Sequence, residues 1–377
     1  MATDEPQLSH ARGEAPPAAG MERMGLGVPA GDEIQWEQVA GAAAVLVDVR
    51  APGEYAEDHI PGSISLPLFD DEERVQVGTL YQQEGPAAAR RWGACRIRGR
   101  LEQYTDALLS AFELPVDGGG QGLPRVVVCA RGGQRSGAVT EHLRSLGFAV
   151  QRLSGGYRAY RSAVRKRLER LVVPGPIVLN GLTGCGKTRV LRELEKLRPG
   201  HIVDLEGIAG HRSSVLGDIG LRPVSQKEFE AELMRRVERL AGGWTMIEWE
   251  ARRVGNRELP NRLYQQMHAA TQIELRATID QRVAILADEY LECGGVEEVS
   301  RRLPALARYP AFGQAGVAAM QQSLAAGEIG RVVRELLDRH YDPRYQHGNR
   351  DFDFTASFDL ADAATTAREI LAWIESR

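Results

Sequence analysis

Short apolar runs bounded by turn residues recur along the first half of the chain, with amphipathic stretches between them. Runs of this length and setting are typical of buried strands. They are VLVDVR (45–50), HIPGSISLP (59–67), VVVC (126–129) and FAVQRLSGG (148–156). Helical periodicity covers much of 86–113 and 136–146, where Val139, Leu143 and Leu146 share one face. Strands that alternate with helices predict a parallel α/β sheet.

The alternation resumes after a strongly basic helical stretch, RAYRSAVRKRLERLVV (158–173), which we expect to join two domains. Further strands are predicted at IVLN (177–180), WTMIEWE (244–250) and QIEL (272–275). Residues 280–340 are predicted to be largely helical. One apolar face of that region carries Val332, Val333, Leu336 and Leu337. We therefore expect an α/β protein with a parallel-sheet domain over 31–165 and a second α/β domain over 166–377, largely helical in its C-terminal part.

The composition agrees with two domains and bears on possible partners and on cellular location. The 377 residues are 43% hydrophobic, which is enough for two separate cores, and the net charge is −4. A nucleic-acid surface must then be a local basic patch. Residues 1–30 are rich in Ala, Pro and Gly and lack a signal peptide's basic start and apolar core, so we expect a disordered extension, with Met21 and Met24 as alternative starts. We expect no membrane span and a cytoplasmic location.

The chain has four cysteines, Cys95, Cys129, Cys185 and Cys293, which are far apart and form no CxxC pair. No structural zinc site is predicted, and free thiols are expected in a reducing cytosol. Three of them are expected to be small packed residues. Cys129 differs because of the loop that follows it.

That loop reads CARGGQRS (129–136), between a predicted strand and a predicted helix. This order directs backbone N–H groups at a helix start toward Sγ, which makes a nest for an anion. Arg131 and Arg135 add positive charge, and Ser136 is expected to cap the helix. Such surroundings favour the thiolate form. We predict that Cys129 is catalytic and that an anion binds beside it. The predicted anion loop consists of Arg131, Gly132, Gly133, Arg135 and Ser136.

A second anion site is predicted at GLTGCGKT (181–188), which matches the P-loop pattern between a strand and a helix. The diphosphate-binding residues are Gly181, Gly184, Gly186, Lys187 and Thr188. The loop amides surround a phosphate, Lys187 reaches its oxygens, and the Thr188 hydroxyl can ligate Mg²⁺ without a protein metal cage. The motif indicates a diphosphate, so ATP, GTP and a non-nucleotide diphosphate all remain open.

The segment EWEAR after the second strand of this domain supplies candidate acids. Glu248 and Glu250 can position Mg²⁺ or a proton, and Arg252 can contact diphosphate or tRNA; a solvated strand end is the alternative for each. His59 and His211 are expected to be structural.

The spacing Cys-x5-Arg occurs in cysteine phosphatases and, one residue shorter, in rhodanese-like sulfurtransferases. The segments DVRAPGEYAEDHIPGSISLP (48–67) and LSGGYRAYR (153–161) resemble the rhodanese domain. The longer loop leaves room for a tetrahedral oxyanion above the thiolate. It therefore favours a phosphate-bearing chalcogen as the donor to Cys129.

A rhodanese-like domain followed by a P-loop resembles the family of bacterial tRNA 2-selenouridine synthases, over about residues 33–345. Five further segments carry the resemblance: DDEERVQVGTLYQQEGPAAAR (70–90), DLEGIAGHRSSVLG (204–217), SQKEFE (225–230), EWEARRVGNRELP (248–260) and YDPRY (341–345). Two positions depart from the family pattern. Ser213 stands where the family has Gly, and Ala130 stands where an aromatic residue is expected.

The resemblance implies a reaction in two steps on wobble 2-thiouridine (U34) of tRNAs for Lys, Glu and Gln. The sulfur is alkylated with geranyl diphosphate, and selenium from selenophosphate then replaces the geranylthiol. It implies that the P-loop holds geranyl diphosphate and that Cys129 either carries selenium or activates selenophosphate. Implied partners are the tRNA anticodon loop and a selenophosphate-supplying enzyme, with no tightly bound cofactor and Mg²⁺ as an option.

Two basic patches are candidates for contact with tRNA phosphates. One comprises Arg158, Arg161, Arg165, Lys166, Arg167 and Arg170; the other comprises Arg90, Arg91, Arg96, Arg98 and Arg100. Two other readings of the whole chain stay open. One is a cysteine phosphatase or thiosulfate sulfurtransferase fused to a kinase-like domain. The other is a nucleotide switch in which Cys129 senses oxidation.

Overall fold

The computed structural model describes residues 33–113, 123–214, 216–344 and 352–377, so the expected 1–30 extension lies outside it. The first domain contains a parallel five-stranded sheet of order β1-β5-β4-β2-β3. Its strands are β1 (Glu33–Ile34), β2 (Val45–Asp48), β3 (Ile64–Ser65), β4 (Arg125–Val128) and β5 (Gln151–Leu153). Its helices are α1 (Trp36–Ala40), α2 (Pro52–Glu57), α3 (Asp71–Glu84), α4 (Pro86–Ile97), α5 (Leu101–Glu113), α6 (Gln134–Ser145) and α7 (Gly156–Glu169).

The central strands of this sheet are apolar because helices cover both of its faces. Val47 in β2 and Val127 in β4 are fully buried. On α6, Val139 and Leu143 face the core as expected, but Leu146 is 50% exposed. The expectation for Leu146 was wrong because α6 ends at Ser145 and the chain leaves the helix through Gly147, whose φ is +88°.

The second domain contains another parallel five-stranded sheet, of order β12-β11-β6-β8-β7. Its strands are β6 (Pro176–Asn180), β7 (Ile202–Val203), β8 (Thr245–Glu248), β11 (Thr271–Arg276) and β12 (Ala356–Asp359), and a separate hairpin pairs β9 (Arg253–Val254) with β10 (Arg257–Glu258). Its helices are α8 (Lys187–Leu197), α9 (Leu205–Ala209), α10 (Gln226–Glu238), α11 (Asn261–Ala269), α12 (Ile279–Cys293), α13 (Gly295–Arg302), α14 (Gly313–Ala325), α15 (Ile329–Leu336) and α16 (Ala363–Glu375). This order confirms the α/β class and places the P-loop strand β6 in the middle of the sheet.

The helices α12 to α15 enclose a core of their own. Val332, Val333, Leu336 and Leu337 are buried in it, which confirms the predicted apolar face. No helix in the described ranges is long and apolar enough to span a membrane.

Helix α7 joins the two domains and crosses residue 165, where we expected the first domain to end. Its apolar residues Tyr157, Tyr160, Val164 and Leu168 belong to a core cluster that draws on both sheets. The helix contacts α10 and α11 of the second domain as well as α1 and β5 of the first. The two domains therefore share one hydrophobic core along α7.

Arg161 lies on the buried face of α7 and not in an exposed basic patch, so its assignment as a tRNA contact was wrong. Its side chain is 9% exposed and forms ion pairs with Asp58, at 3.7 Å, and with Glu230. It also donates to the Lys227 carbonyl at 3.0 Å. One guanidinium thus links a loop of the first domain to helix α10 of the second.

We expect Arg161→Met to lower the free energy of unfolding by about 3–5 kcal/mol, because it leaves the buried Asp58 and the partly buried Glu230 without their cation. Arg167→Met is the matched control on the same helix, since Arg167 and Glu238 are both 49% exposed. Its effect should stay within about 1 kcal/mol. Urea unfolding of the two variants measures the difference, and equal losses would contradict the structural role of Arg161.

Candidate functional site

The thiol loop begins where β4 ends. Cys129 is 3% exposed, and the helix that follows starts at Gln134 with Gly133 at its N-cap position. Ser136 is therefore the third residue of α6, and its expected role as the cap was wrong. Its hydroxyl lies 3.1 Å from the Cys129 Sγ and 3.3 Å from the Gly133 carbonyl. Ser136 thus touches the thiol itself, at the positive end of a helix.

The segment LSGGYR docks directly on this loop. Tyr157 donates its backbone N–H to the Cys129 carbonyl at 2.8 Å, and Arg158 donates to the Ala130 carbonyl at 3.1 Å. Gly156 has φ +58°, and a Cβ there would lie 2.1 Å from the Cys129 carbonyl oxygen. Gly132 has φ +64°, and its Cβ would lie 2.4 Å from the Leu153 carbonyl oxygen. Only glycine at both positions permits this approach.

The two arginines of the loop are placed differently. Arg131 is exposed, whereas Arg135 makes two hydrogen bonds to Glu54, at 2.6 and 3.2 Å. Burial by itself would raise the pKa of Glu54, but the hydrogen bonds and charge of Arg135 lower it to about 2. The charge of Arg135 is therefore shared with a carboxylate.

A buried charge network supports the docked segment. Arg50 pairs with Asp48 at 2.8 Å, donates to the Asp58 carbonyl at 2.8 Å, and lies 3.9 Å from the centre of the Tyr157 ring. The Tyr157 hydroxyl donates to the Asp58 carboxylate. Burial, followed by the nearby Asp58, raises the pKa of Tyr157, which keeps that hydroxyl a donor. These contacts connect the segments DVR (48–50), EDH (57–59) and GGYR (155–158) next to the thiol loop.

The second anion site is the loop between β6 and α8. Gly181, Gly184 and Gly186 have φ values of +148°, +78° and +87°, and a Cβ on Gly181 would lie 2.5 Å from the Leu275 carbonyl oxygen. Lys187 starts α8 and donates to the Gly181 carbonyl at 2.9 Å. The helix N-terminus and the loop amides form a nest for phosphate oxygens.

The other cysteines have different surroundings. Cys185 is buried inside the P-loop, as expected of a packed residue, but Cys95 is exposed, so that expectation was wrong for it. The side chain of Cys293 lies outside the described part of the structure.

Three carboxylates surround the start of α8. Glu248 ends β8 with no exposed surface, and Glu250 is also buried. The Thr188 hydroxyl lies 3.3 Å from Glu206 and 3.4 Å from Glu248, and the Glu206 backbone N–H donates to Glu248 at 2.8 Å. Sequence reasoning did not select Glu206; the segment DLEG, noted only for its resemblance, was the available signal.

These carboxyl groups retain protons at higher pH than usual. Burial, and then the charge of Glu250, raises the pKa of Glu206 to about 8. Burial raises the pKa of Glu250 to about 7, although Lys187 opposes this, and burial and Glu206 raise the pKa of Glu248 well above its ordinary value.

Carboxylate and hydroxyl oxygens suit Mg²⁺, which proteins commonly hold through one or two carboxylates and the substrate's phosphates. The Thr188 hydroxyl and the adjacent Glu206 and Glu248 fit this donor set. In the described ranges no three His, Cys, Asp or Glu side chains form a metal cage by themselves. A bound ion would therefore also need oxygens of the diphosphate.

Ser213 and His211 lie near the same carboxylates. Ser213 has φ +48° and donates its hydroxyl to Glu250 at 2.5 Å. The His211 ring packs where a Cβ of Gly217 or Gly255 would stand, within 3 Å of either position. This close packing agrees with a structural role for His211.

Arg252 is directed toward α11. It pairs with Glu258 at 3.5 Å, donates to Asn261, and lies 5.3 Å from the centre of the Tyr264 ring. None of these side-chain contacts involves the P-loop, and a role of Arg252 at the diphosphate or on tRNA stays a prediction.

The basic patches are smaller than the sequence indicated. On α7, Arg158, Arg165 and Lys166 are exposed, as is Arg170 directly after it, and Arg167 pairs with Glu238. In the other patch, Arg96 and Arg100 pair with the buried Glu73, at 2.7 and 2.5 Å. Arg90, Arg91 and Arg98 remain exposed there.

Comparisons with known proteins match both domains. Residues 33–163 match the model of the Rhodanese-like domain, and residues 175–301 match that of the tRNA 2-selenouridine synthase AAA domain. The chain is 34% identical to the tRNA 2-selenouridine synthase of Cupriavidus pinatubonensis over 80% of this chain and 88% of that protein. It is 33% identical to that of Pseudomonas putida over 88% and 95%. The match to that of Chromohalobacter salexigens, at 34% identity, covers 66% of this chain and 65% of that protein.

The raised carboxyl pKa values predict that the ligand-free protein loses stability as pH rises from about 5 to 8. On these carboxyl groups the folded state keeps protons in this range that the unfolded chain has already released above about pH 4.5, so their contribution to the unfolding free energy falls. Glutamine does not titrate, so Glu206→Gln should make the unfolding free energy depend less steeply on pH. Urea unfolding at pH 5, 6, 7 and 8, in EDTA, measures it.

Glu54→Gln is the control for this measurement. Because the pKa of Glu54 is lowered to about 2, this group is ionised in both states above about pH 5 and contributes no slope there. The same slope in Glu206→Gln and wild type would refute the assignment.

Proposed function

Because the chain belongs to the family of tRNA 2-selenouridine synthases, we propose that it is a transferase that replaces sulfur by selenium in wobble 2-thiouridine (U34) of tRNAs for Lys, Glu and Gln. The observation that carries this proposal is the presence, in one chain, of a thiol loop and a diphosphate loop whose domains share a core along α7. A sulfurtransferase or phosphatase needs no P-loop, and a nucleotide switch needs no thiol. The proposed reaction uses both.

In the first step, the loop 181–188 holds the diphosphate of geranyl diphosphate. The thiocarbonyl sulfur attacks the first carbon of the geranyl group, the carbon–oxygen bond breaks, and diphosphate leaves. The base releases its N3 proton to solvent. Lys187 and the loop amides stabilise the charge that develops on the leaving oxygens. Mg²⁺, held through Thr188 and the adjacent carboxylates, would supply further neutralisation there.

In the second step, the Cys129 loop serves selenophosphate. The amides at the start of α6 and the exposed Arg131 receive its phosphate, and the Ser136 hydroxyl, 3.1 Å from Sγ, orients the thiol. The selenium of selenophosphate then attacks C2 of the base, and geranylthiol leaves. Water attacks the phosphorus, the selenium–phosphorus bond breaks, and phosphate is released. Alkylation in the first step makes this displacement feasible, because a thiocarbonyl sulfur alone is a poor leaving group. Selenophosphate arrives from a supplying enzyme, and no tightly bound cofactor is required.

The tRNA is proposed to lie along the exposed face of α7. Arg158, Arg165 and Lys166 are exposed there, on the helix that contacts both domains. Phosphate contacts of this kind supply affinity and salt dependence and carry little sequence information. Their position would keep the anticodon within reach of both loops.

The reaction is tested with a 2-thiouridine anticodon stem-loop, geranyl diphosphate and Mg²⁺, followed by selenophosphate, with nucleoside mass spectrometry as the readout. Wild type should form the geranyl adduct and then the selenonucleoside. Lys187→Ala should lose the adduct, because the leaving diphosphate loses its cation. Cys129→Ala should form the adduct and fail to convert it. The absence of any mass change with wild type would sink the proposal, and thiosulfate or nucleotide turnover would then be measured.

The tRNA surface is tested by neutralising two of its cations, Arg165→Gln with Lys166→Gln. If each contacts one phosphate, the slope of log affinity against log salt should fall by about two. Arg90→Gln with Arg91→Gln tests the second patch in the same assay. Unchanged affinity and slope in the α7 variant would remove this surface.

A further inference from the structure

We propose that Arg282 is a positioning residue of the diphosphate loop, which it orients through the backbone carbonyl of Thr183, and that Asp342 fixes Arg282 in place. The inference rests on the role proposed above for the loop 181–188. It assigns a task to a buried ion pair that the reaction steps leave unused.

Each of the three nitrogens of the Arg282 guanidinium donates a hydrogen bond. It lies in the first turn of α12, and its side chain is 4% exposed. Its Nε donates to the Thr183 carbonyl at 2.8 Å. Its Nη1 and Nη2 donate to the two carboxylate oxygens of Asp342, at 3.0 and 2.5 Å. The planar fork thus holds a carboxylate on one side and a loop carbonyl on the other.

The contact with Thr183 determines the direction of an amide that faces the ligand. In a planar trans peptide the C=O and the following N–H point in opposite directions. Because Arg282 draws the Thr183 carbonyl toward α12, the Gly184 N–H points away from α12, into the loop. Gly184 has φ +78° and no side chain to resist rotation of this peptide. Within the loop, the Cys185 N–H donates to the Leu182 carbonyl at 3.1 Å and closes a turn around this peptide, but such a bond is compatible with either direction of the central peptide. The contact from Arg282 selects one direction.

Helix α12 is built to supply that restraint. A Cβ on Gly184 would lie 2.8 Å from Leu286, one turn beyond Arg282. On the same helix, the Ile285 carbonyl accepts from Arg189 at 3.2 Å, and Glu289 pairs with Arg189 at 3.5 Å. Helix α12 therefore contacts both the loop and the start of α8.

Asp342 comes from the end of the helical part, directly after a π-helical turn over Leu337–Tyr341. Such turns shift the register of the residues that follow. Because Asp342 offsets the charge of Arg282, we assign Arg282 an orienting task and not a purely electrostatic one. Lysine, which lacks the planar fork, should not replace it.

The test measures binding of magnesium pyrophosphate to the full chain by titration calorimetry. Arg282→Lys, Arg282→Gln and Asp342→Asn should each weaken binding on the order of tenfold, the effect of losing one oriented donor to a charged ligand. Asp218→Asn is the matched control, because it breaks another ion pair of the helical part, to Arg302 at 2.6 Å. It should leave affinity within about twofold.

Thermal unfolding of each variant, run in parallel, confirms that binding is measured on folded protein, and Asp342→Asn keeps the test decisive if an Arg282 variant fails to fold. Wild-type affinity in Arg282→Lys would overturn the inference, and so would an equal loss in Asp218→Asn. If the wild-type protein binds no pyrophosphate, both the role of Arg282 and the assignment of the loop 181–188 as a diphosphate site would be overturned. Normal pyrophosphate binding without geranyl transfer would count against the proposed reaction alone.

Discussion

The Arg161 guanidinium lies in the contact between the two domains, where a buried charge is tolerated only if it is paired. Its partners Asp58 and Glu230 come from different domains, so the pairing is complete in one relative placement only. The same helix begins with Gly156 and Tyr157, which dock on the Cys129 loop. The geometry of the thiol loop and the orientation of the second domain are therefore fixed by one helix, and a change at this joint would disturb both.

The two anion sites use backbone amides at helix starts in the same way but differ in their surrounding charges. The thiol loop lies beside arginines, one of which Glu54 holds in place. The P-loop lies beside carboxyl groups whose pKa values are raised by burial. A divalent ion requires ionised carboxylates, so its binding there is coupled to proton release. In the proposed reaction the first site would receive an anion as it stands, whereas the second would do so when an ion and a diphosphate arrive together.

The sequence predicted the central strands because burial on both faces produces continuous apolar runs, as in β4 and β6. It did not predict β7, which is two residues long, or β12, whose residues are half exposed. Arg161 was assigned to the exposed basic patch on the basis of its charge. Its position in the helix indicates the opposite, because it follows Tyr157 by four residues and precedes Val164 by three, which is the spacing of residues on one buried face. Glu206 contacts Glu248 across 42 residues of sequence, and no local pattern reports such a contact.

Ser213 illustrates how a departure from a family pattern can be read physically. The left-handed conformation that glycine adopts freely costs another residue about 1–2 kcal/mol. A hydrogen bond to a charged group contributes about 1.5–3 kcal/mol. When Glu250 is ionised, the Ser213 hydroxyl makes such a bond to it at 2.5 Å, and the contact then offsets the backbone cost. The glycine of the pattern is then explained by backbone conformation at this turn, and serine retains that conformation while it gains a partner in the carboxylate cluster.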